Sequence, residues 1–166
     1  MDIDRQTPSS GGRQRIRGLV EAVNAIMSAI AQPSLTRFAL RFGLAIPFWR
    51  SGINKWDGFL QLSDVAVLLF SSEFKLRLPG GPYAFPAPDI LAFVAGSAEI
   101  LLPILLVLGL ATRLAAFGLL VMTLVIQLTV PDGWTVHVTW AALALGILAW
   151  GPGRVSLDHL IVRYAR

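Results

Sequence analysis

Four long apolar stretches, at about 35–55, 90–110, 114–130 and 135–150, dominate the chain. Each is close to the length a helix needs to cross a hydrocarbon core about 30 Å thick. Ahead of them Ile16, Leu19, Val20, Val23, Ile26, Met27 and Ile30 recur at helical spacing behind Arg13, Arg15 and Arg17. That stripe predicts an amphipathic helix over 13–33, either lying on a membrane surface or packed on the rest of the protein. Pro33 and Ser34 are expected to end it. Residues 1–12, rich in Ser, Gly and Asp, read as a disordered arm.

The connector 56–89 breaks the pattern. An amphipathic patch surrounds Val65 to Phe70, and the stretch LPGGPYAFPAP that follows holds too much proline and glycine for regular helix. A partly re-entrant or interfacial path is expected there. The later links are short, Ala111–Arg113 and Pro131–Trp134, and make the last three spans antiparallel neighbours. The fold class is therefore all-α: an integral membrane four-helix bundle over 34–153, with an N-terminal amphipathic interfacial helix and a tail at 154–166.

Composition strengthens this picture. Of 166 residues 55% are hydrophobic and 14% charged, against roughly a quarter charged in soluble domains, and the mean hydropathy is +0.65. The length suits one domain, without internal repeats. A net charge of +4 and a pI near 10.3 do not point to nucleic acid, because the basic residues crowd at helix ends. Arg5, Arg13, Arg15, Arg17, Arg37, Arg113, Arg154, Arg163 and Arg166 fall on one side of a four-span topology; Lys55, Lys75 and Arg77 fall on the other, offset by acids. Both termini are expected in the cytoplasm. The basic arm and the arginines of the first span do not resemble a signal peptide, so the N-terminus is expected to be retained. The chain contains no cysteine, which excludes disulfides, iron–sulfur clusters and zinc thiolates built from it.

Polar residues kept inside the spans carry the chemistry. A charge at the bilayer centre costs about 2.5–3.5 kcal/mol, and Glu99 lies near the middle of the second span, one turn before Pro103. Arg50, Asn54 and Lys55 end the first span, Gln127 nears the end of the third, and His137 opens the fourth with Trp140 on the same face. With polar faces inward, these residues are expected to line one cavity in the outer half of the bundle. Such a cavity suits proton-coupled chemistry; the alternative is an Arg50–Glu99 or Lys55–Glu99 bridge that only fixes helix register.

Other polar residues read more simply. Arg37 and Arg41 are expected to snorkel to headgroups, Asp158, His159 and Arg163 to form a cytoplasmic surface cluster, and Trp49, Trp56, Tyr83, Trp134 and Trp150 to sit at membrane interfaces. A haem on two histidines is excluded by the opposite depths of His137 and His159. No group of residues at one depth makes a closed metal site.

The segment RFGLAIPFWRSGINKW, the stretch AGSAEILLPILLVLGLATRLAA, the HVTW at His137 and the terminal GPGRVSLD together resemble the DoxX family of small bacterial membrane proteins, over about Arg37 to Leu160. Its marks are SGxxK at Ser51–Lys55, Glu99, GLxTR at Gly109–Arg113 and SLD at Ser156–Asp158. The resemblance implies a four-helix bundle in the inner membrane and redox work: one relative forms part of a thiosulfate:quinone oxidoreductase, and others associate with oxidative-stress enzymes. It further implies a quinone cofactor in the cavity. Arg50, Lys55, Glu99 and His137 would supply hydrogen bonds and protons, Trp140 would stack on the ring, and Gln127 and Asn54 would complete the contacts.

A homo-oligomer, or a complex with a redox or stress-defence partner, is the expected assembly. FWRSG, LFSSEFK and EILLP also resemble a DoxX subgroup encoded beside copper-responsive modified peptides, which implies a non-catalytic accessory or scaffold in metal or oxidative-stress defence. A small-solute transporter is the third class, disfavoured by the lack of an inverted repeat.

Overall fold

The computed structural model describes residues 10–165. Most of the expected disordered arm, residues 1–9, lies outside them. Helix α1 spans Ser10–Ile30 and so starts three residues before the amphipathic stripe does. After a turn at Ala31, α2 runs Pro33–Ile53. The connector holds a hairpin of β1 (Trp56–Gly58) and β2 (Gln61–Leu62), a short α3 (Asp64–Leu68) that runs into a π-helical turn at Leu69–Glu73, and a second hairpin of β3 (Lys75–Leu78) and β4 (Gly81–Ala84). Then follow α4 (Pro88–Leu108), α5 (Thr112–Thr129), α6 (Trp134–Trp150) and α7 (Leu157–Tyr164).

Local chemistry sets these limits. Pro33 does not merely end α1: it opens α2, as Pro88 opens α4, because the first turn of a helix has no use for the missing N–H. That places both helices two residues ahead of the apolar runs. At the other end of α4, Gly109 takes the left-handed conformation (φ 71°), the Leu110 N–H bonds to Leu105 O at 2.9 Å and the Gly109 N–H to Leu106 O at 3.2 Å. This paired closure lets the chain reverse into α5 within three residues.

α4, α5 and the stretch Pro131–Trp150 are long and apolar enough to cross a membrane. α2 is equally long but carries Arg37, Arg41 and Arg50. It packs on α4 and α6, and α5 packs on the same two helices, so the four form a closed ring. Their shared core is Leu44, Ala45 and Phe48 of α2, Leu106 of α4, Ala115, Ala116 and Leu119 of α5, and Ala144 and Ile147 of α6. Four of the nine are alanines, small residues that let helices approach closely within lipid. Outside the ring, large apolar side chains such as Ile90, Leu101, Leu114, Leu124 and Leu145 are exposed. That inversion of a water-soluble surface marks a membrane protein.

Helix α1 stands apart. Every residue from Gly12 to Ile30 is exposed, the whole apolar stripe included, so the expected alternative of packing on the rest of the chain is not what is seen. Replacing Leu19 and Ile26 with aspartate is accordingly expected to move the unfolding midpoint in detergent by less than about 0.5 kcal/mol, while releasing α1 from lipid. A loss above about 1 kcal/mol in a chemical-denaturation series would show that the stripe packs on protein.

Candidate polar cavity and inner-end latch

Glu99 is the twelfth residue of α4, about 16 Å from its start. Pro103 has no N–H to return to the Glu99 carbonyl, which is left without its intrahelical partner. Against that carbonyl α2 brings Gly52, where a Cβ would lie 3.0 Å from both Glu99 C and O. The close approach carries the end of α2 onto the acid. Lys55 Nζ reaches Glu99 Oε2 at 2.5 Å and also donates to Ser51 Oγ at 2.9 Å, one turn back. The two side chains are 14% and 5% exposed, so the pair is nearly dry.

Beside the pair lies a cavity of about 340 Å³. Ser51, Lys55, Glu99 and Thr129 supply its polar groups; Phe48 and Trp140 form one wall and Met122, Val125 and Ile126 of α5 another. Phe70, Phe74 and Phe85 come from the connector, with ring centroids 5.3 Å (Phe70–Phe74) and 6.0 Å (Phe70–Phe85) apart. The connector is therefore a folded cover over the bundle's polar site. An apolar chamber with a few convergent polar atoms is the usual form of a small-molecule site.

The expected single cavity is not seen: the candidate residues divide among four places. Lys55, Glu99 and Trp140 share the chamber. His137 is buried, its Nδ1 2.9 Å from Gln127 Oε1, while Gln127 Nε2 donates to Pro131 O at 3.2 Å. That pair lines a separate groove between α5 and α6; Val121 borders both this groove and the chamber, and the Trp140 ring lies 5.2 Å from His137 and 5.1 Å from Phe48. Arg50 is exposed on another face, in a groove with Phe42, Trp49 and Ile104. It precedes Ser51, and one residue turns a helix by about 100°. Asn54 is exposed at the α2 C-cap. Of the two expected bridges, the lysine one forms.

Two residues expected at the surface belong to a second site. Arg41 does not snorkel: it is 1% exposed, donates through Nη1 to Leu106 O at 3.3 Å and through Nη2 to Val155 O, and lies over Phe38. Asp158 is no loose surface charge either. Its carboxylate accepts the N–H groups of Ala111 (2.7 Å) and Thr112 (2.9 Å), and its own N–H donates to Gly109 O at 2.8 Å. Ser156 caps α7 by accepting the His159 N–H at 3.2 Å. The tail thus closes onto the α4–α5 turn as a latch. The motifs GLxTR and SLD meet there.

The DoxX family model matches residues 36–138. The chain belongs to the DoxX family. It is also 29% identical over 134 residues to an uncharacterized protein of Haemophilus influenzae, covering 74% of this chain and 80% of that relative. No solved structure matches it. In this DoxX chain the matched region holds Lys55, Glu99 and His137, while Trp140 and Asp158 lie beyond it.

Burial alone would raise the Asp158 pKa, but the amides of Thr112 and Ala111 and the Arg41 charge outweigh it and hold the carboxyl below its ordinary value. A depressed pKa contributes stability that is full above the unfolded aspartate value, about 3.9, and lost as pH falls through the folded one. Detergent-solubilised DoxX protein should therefore lose part of its stability below about pH 4, and Asp158→Asn should flatten that acid limb. An unchanged acid limb in the variant would rule out the latch as its source.

Proposed function

We propose that this DoxX protein is the quinone-binding membrane subunit of an oxidoreductase, with α2 as the fourth span and the chamber facing the outer half of the bilayer. The observation that carries the reading is the dry Lys55–Glu99 pair opening into an aromatic-walled cavity of about 340 Å³. A quinone ring suits the flat space between Trp140, Phe48 and the connector phenylalanines, and a quinone oxygen suits the Lys55 ammonium. Bound there, the quinone supplies the two-electron, two-proton chemistry. The electrons come from a reduced centre on a partner protein, and no residue of this chain is asked to carry them.

The chain's own residues hold and move protons. Lys55 donates hydrogen bonds and fixes the acid; Glu99 is the group that accepts and releases a proton beside the ring, and the phenylalanine cover excludes water. His137 stands behind Trp140 and positions it rather than touching the ligand. The arginine distribution supports a topology with both termini on the cytoplasmic side of the inner membrane and α1 lying on that surface.

Mass spectrometry of small molecules copurifying in mild detergent is expected to find quinone, and titration with a short-chain benzoquinone to give saturable binding. Glu99→Gln should weaken that binding roughly tenfold, the value of one charged hydrogen bond. Quinone-free protein indifferent to added quinone would falsify the reading. A second reading, an accessory that docks a partner in metal or oxidative-stress defence, is favoured by Phe59 (95% exposed) and Leu60, which project from the β1–β2 turn. Its test is a pull-down from native membranes, in which a stoichiometric partner should disappear when both residues become serine.

A further inference from the structure

At the end of the bundle opposite the connector, a cavity of about 620 Å³ opens between the start of α2, the start of α5 and the loop from α6 to α7. Arg37, Arg113, Arg154 and His159 line it, and its acid is Asp158. That carboxylate is already engaged by the Ala111 and Thr112 amides. Among the described residues, Arg37, Arg113 and Arg154 have no carboxylate within ion-pair distance. Three guanidinium groups thus share one concavity with no protein counter-charge of their own.

The loop is shaped to hold them there. Gly151 and Gly153 take positive φ (73° and 80°). A Cβ on Gly151 would lie 3.4 Å from Arg113 Nη2, and one on Gly153 would lie 3.1 Å from Arg37 Cδ, so both arginine side chains lie across the bare backbone of Gly151–Gly153. Leu114 (70% exposed), Trp150 and Val162 give the rim an apolar edge.

We infer that this cavity binds a phosphate anion, held by Arg37, Arg113 and Arg154, and that the phosphate is the headgroup of an anionic phospholipid. Planar guanidinium forks match phosphate oxygens two at a time, and a basic pocket between spans at a membrane surface is where such a headgroup sits. The apolar rim favours the lipid source over free phosphate, since it gives the first methylenes of an acyl chain somewhere to lie. The site is independent of the chamber at Glu99.

The test is native mass spectrometry of the full chain in mild detergent with added phosphatidylglycerol, phosphatidylcholine or millimolar inorganic phosphate. One phosphatidylglycerol should be retained and phosphatidylcholine should not. Arg37→Gln with Arg154→Gln should cut retention roughly tenfold or more, while Arg163→Gln, which removes an α7 charge that does not line the cavity, changes it less than about twofold. Should the glutamine pair fail to fold, Arg37→Lys with Arg154→Lys keeps the charge but loses the fork, and should still weaken retention. Displacement of the lipid by inorganic phosphate, dependent on the arginines, would keep the phosphate site and assign it to a soluble ligand. Equal retention of phosphatidylcholine, or retention indifferent to both arginine pairs, overturns the inference.

Discussion

Gly109→Ala is expected to destabilise the protein by about 4 kcal/mol, close to the upper end for a single methyl group. Two effects add. The backbone there has φ 71°, which costs a residue with a Cβ about 1 kcal/mol. The new Cβ would also overlap Arg41 Nη1 and lie 2.5 Å from Ser156 Cβ. Arg41 would be driven from the Leu106 and Val155 carbonyls while still enclosed, and a buried charge stripped of its partners costs about 3–5 kcal/mol. Denaturant titration in detergent micelles measures the loss. In the background of Arg41→Met the same glycine substitution should cost less, because the overlap with Arg41 is gone while the backbone share and the contact with Ser156 remain. If the two costs are equal, the clash with Arg41 is not the cause.

The ease with which the helices could be read, and the difficulty of reading the latch, have physical origins. Apolar runs long enough to span a bilayer have few other readings, so α4, α5 and α6 fall within two residues of expectation. Prolines shifted the starts, since Pro33 and Pro88 lie at first helical positions rather than at breaks. Arg41 could not be told from Arg37 by spacing: an arginine in the first turns of a span snorkels or turns inward according to what the tail offers, and its acceptors lie 65 and 114 residues away. The signal present was the co-occurrence of GLxTR and SLD, which hold Gly109 and Asp158.

The division of the polar residues was partly legible. Ser51 and Lys55 are one turn apart and share a face, whereas Arg50 does not, so helix geometry alone separates it from Glu99. His137 and Gln127 needed the crossing of α5 and α6 to be paired. In the connector, Pro79 and Gly80 lie at the tip of the β3–β4 hairpin, where the Gly-rich turn was visible in the sequence. The β1–β2 turn offers no such sign, because its left-handed position is Leu60, φ 57°.

Lys55→Met is expected to cost about 3 kcal/mol, because it strands Glu99 in a site where that carboxylate is 5% exposed; protonation of the acid limits the loss. Lys55→Met with Glu99→Leu should return to within about 1 kcal/mol of the starting protein, since paired apolar residues of similar volume replace a buried ion pair at little net cost. This double-mutant cycle separates the two roles the pair could have. A bridge that only sets the register of α2 against α4 predicts that the double variant regains every property along with its stability. A site that binds a quinone and handles its protons predicts otherwise: the bundle recovers its unfolding midpoint, while benzoquinone binding stays at the level of Glu99→Gln alone. Stability and binding recovered together would reduce Lys55–Glu99 to a helix-register device, and the chamber would then need no proton chemistry. Stability recovered without binding leaves the ion pair as chemistry that the fold tolerates at an energetic cost.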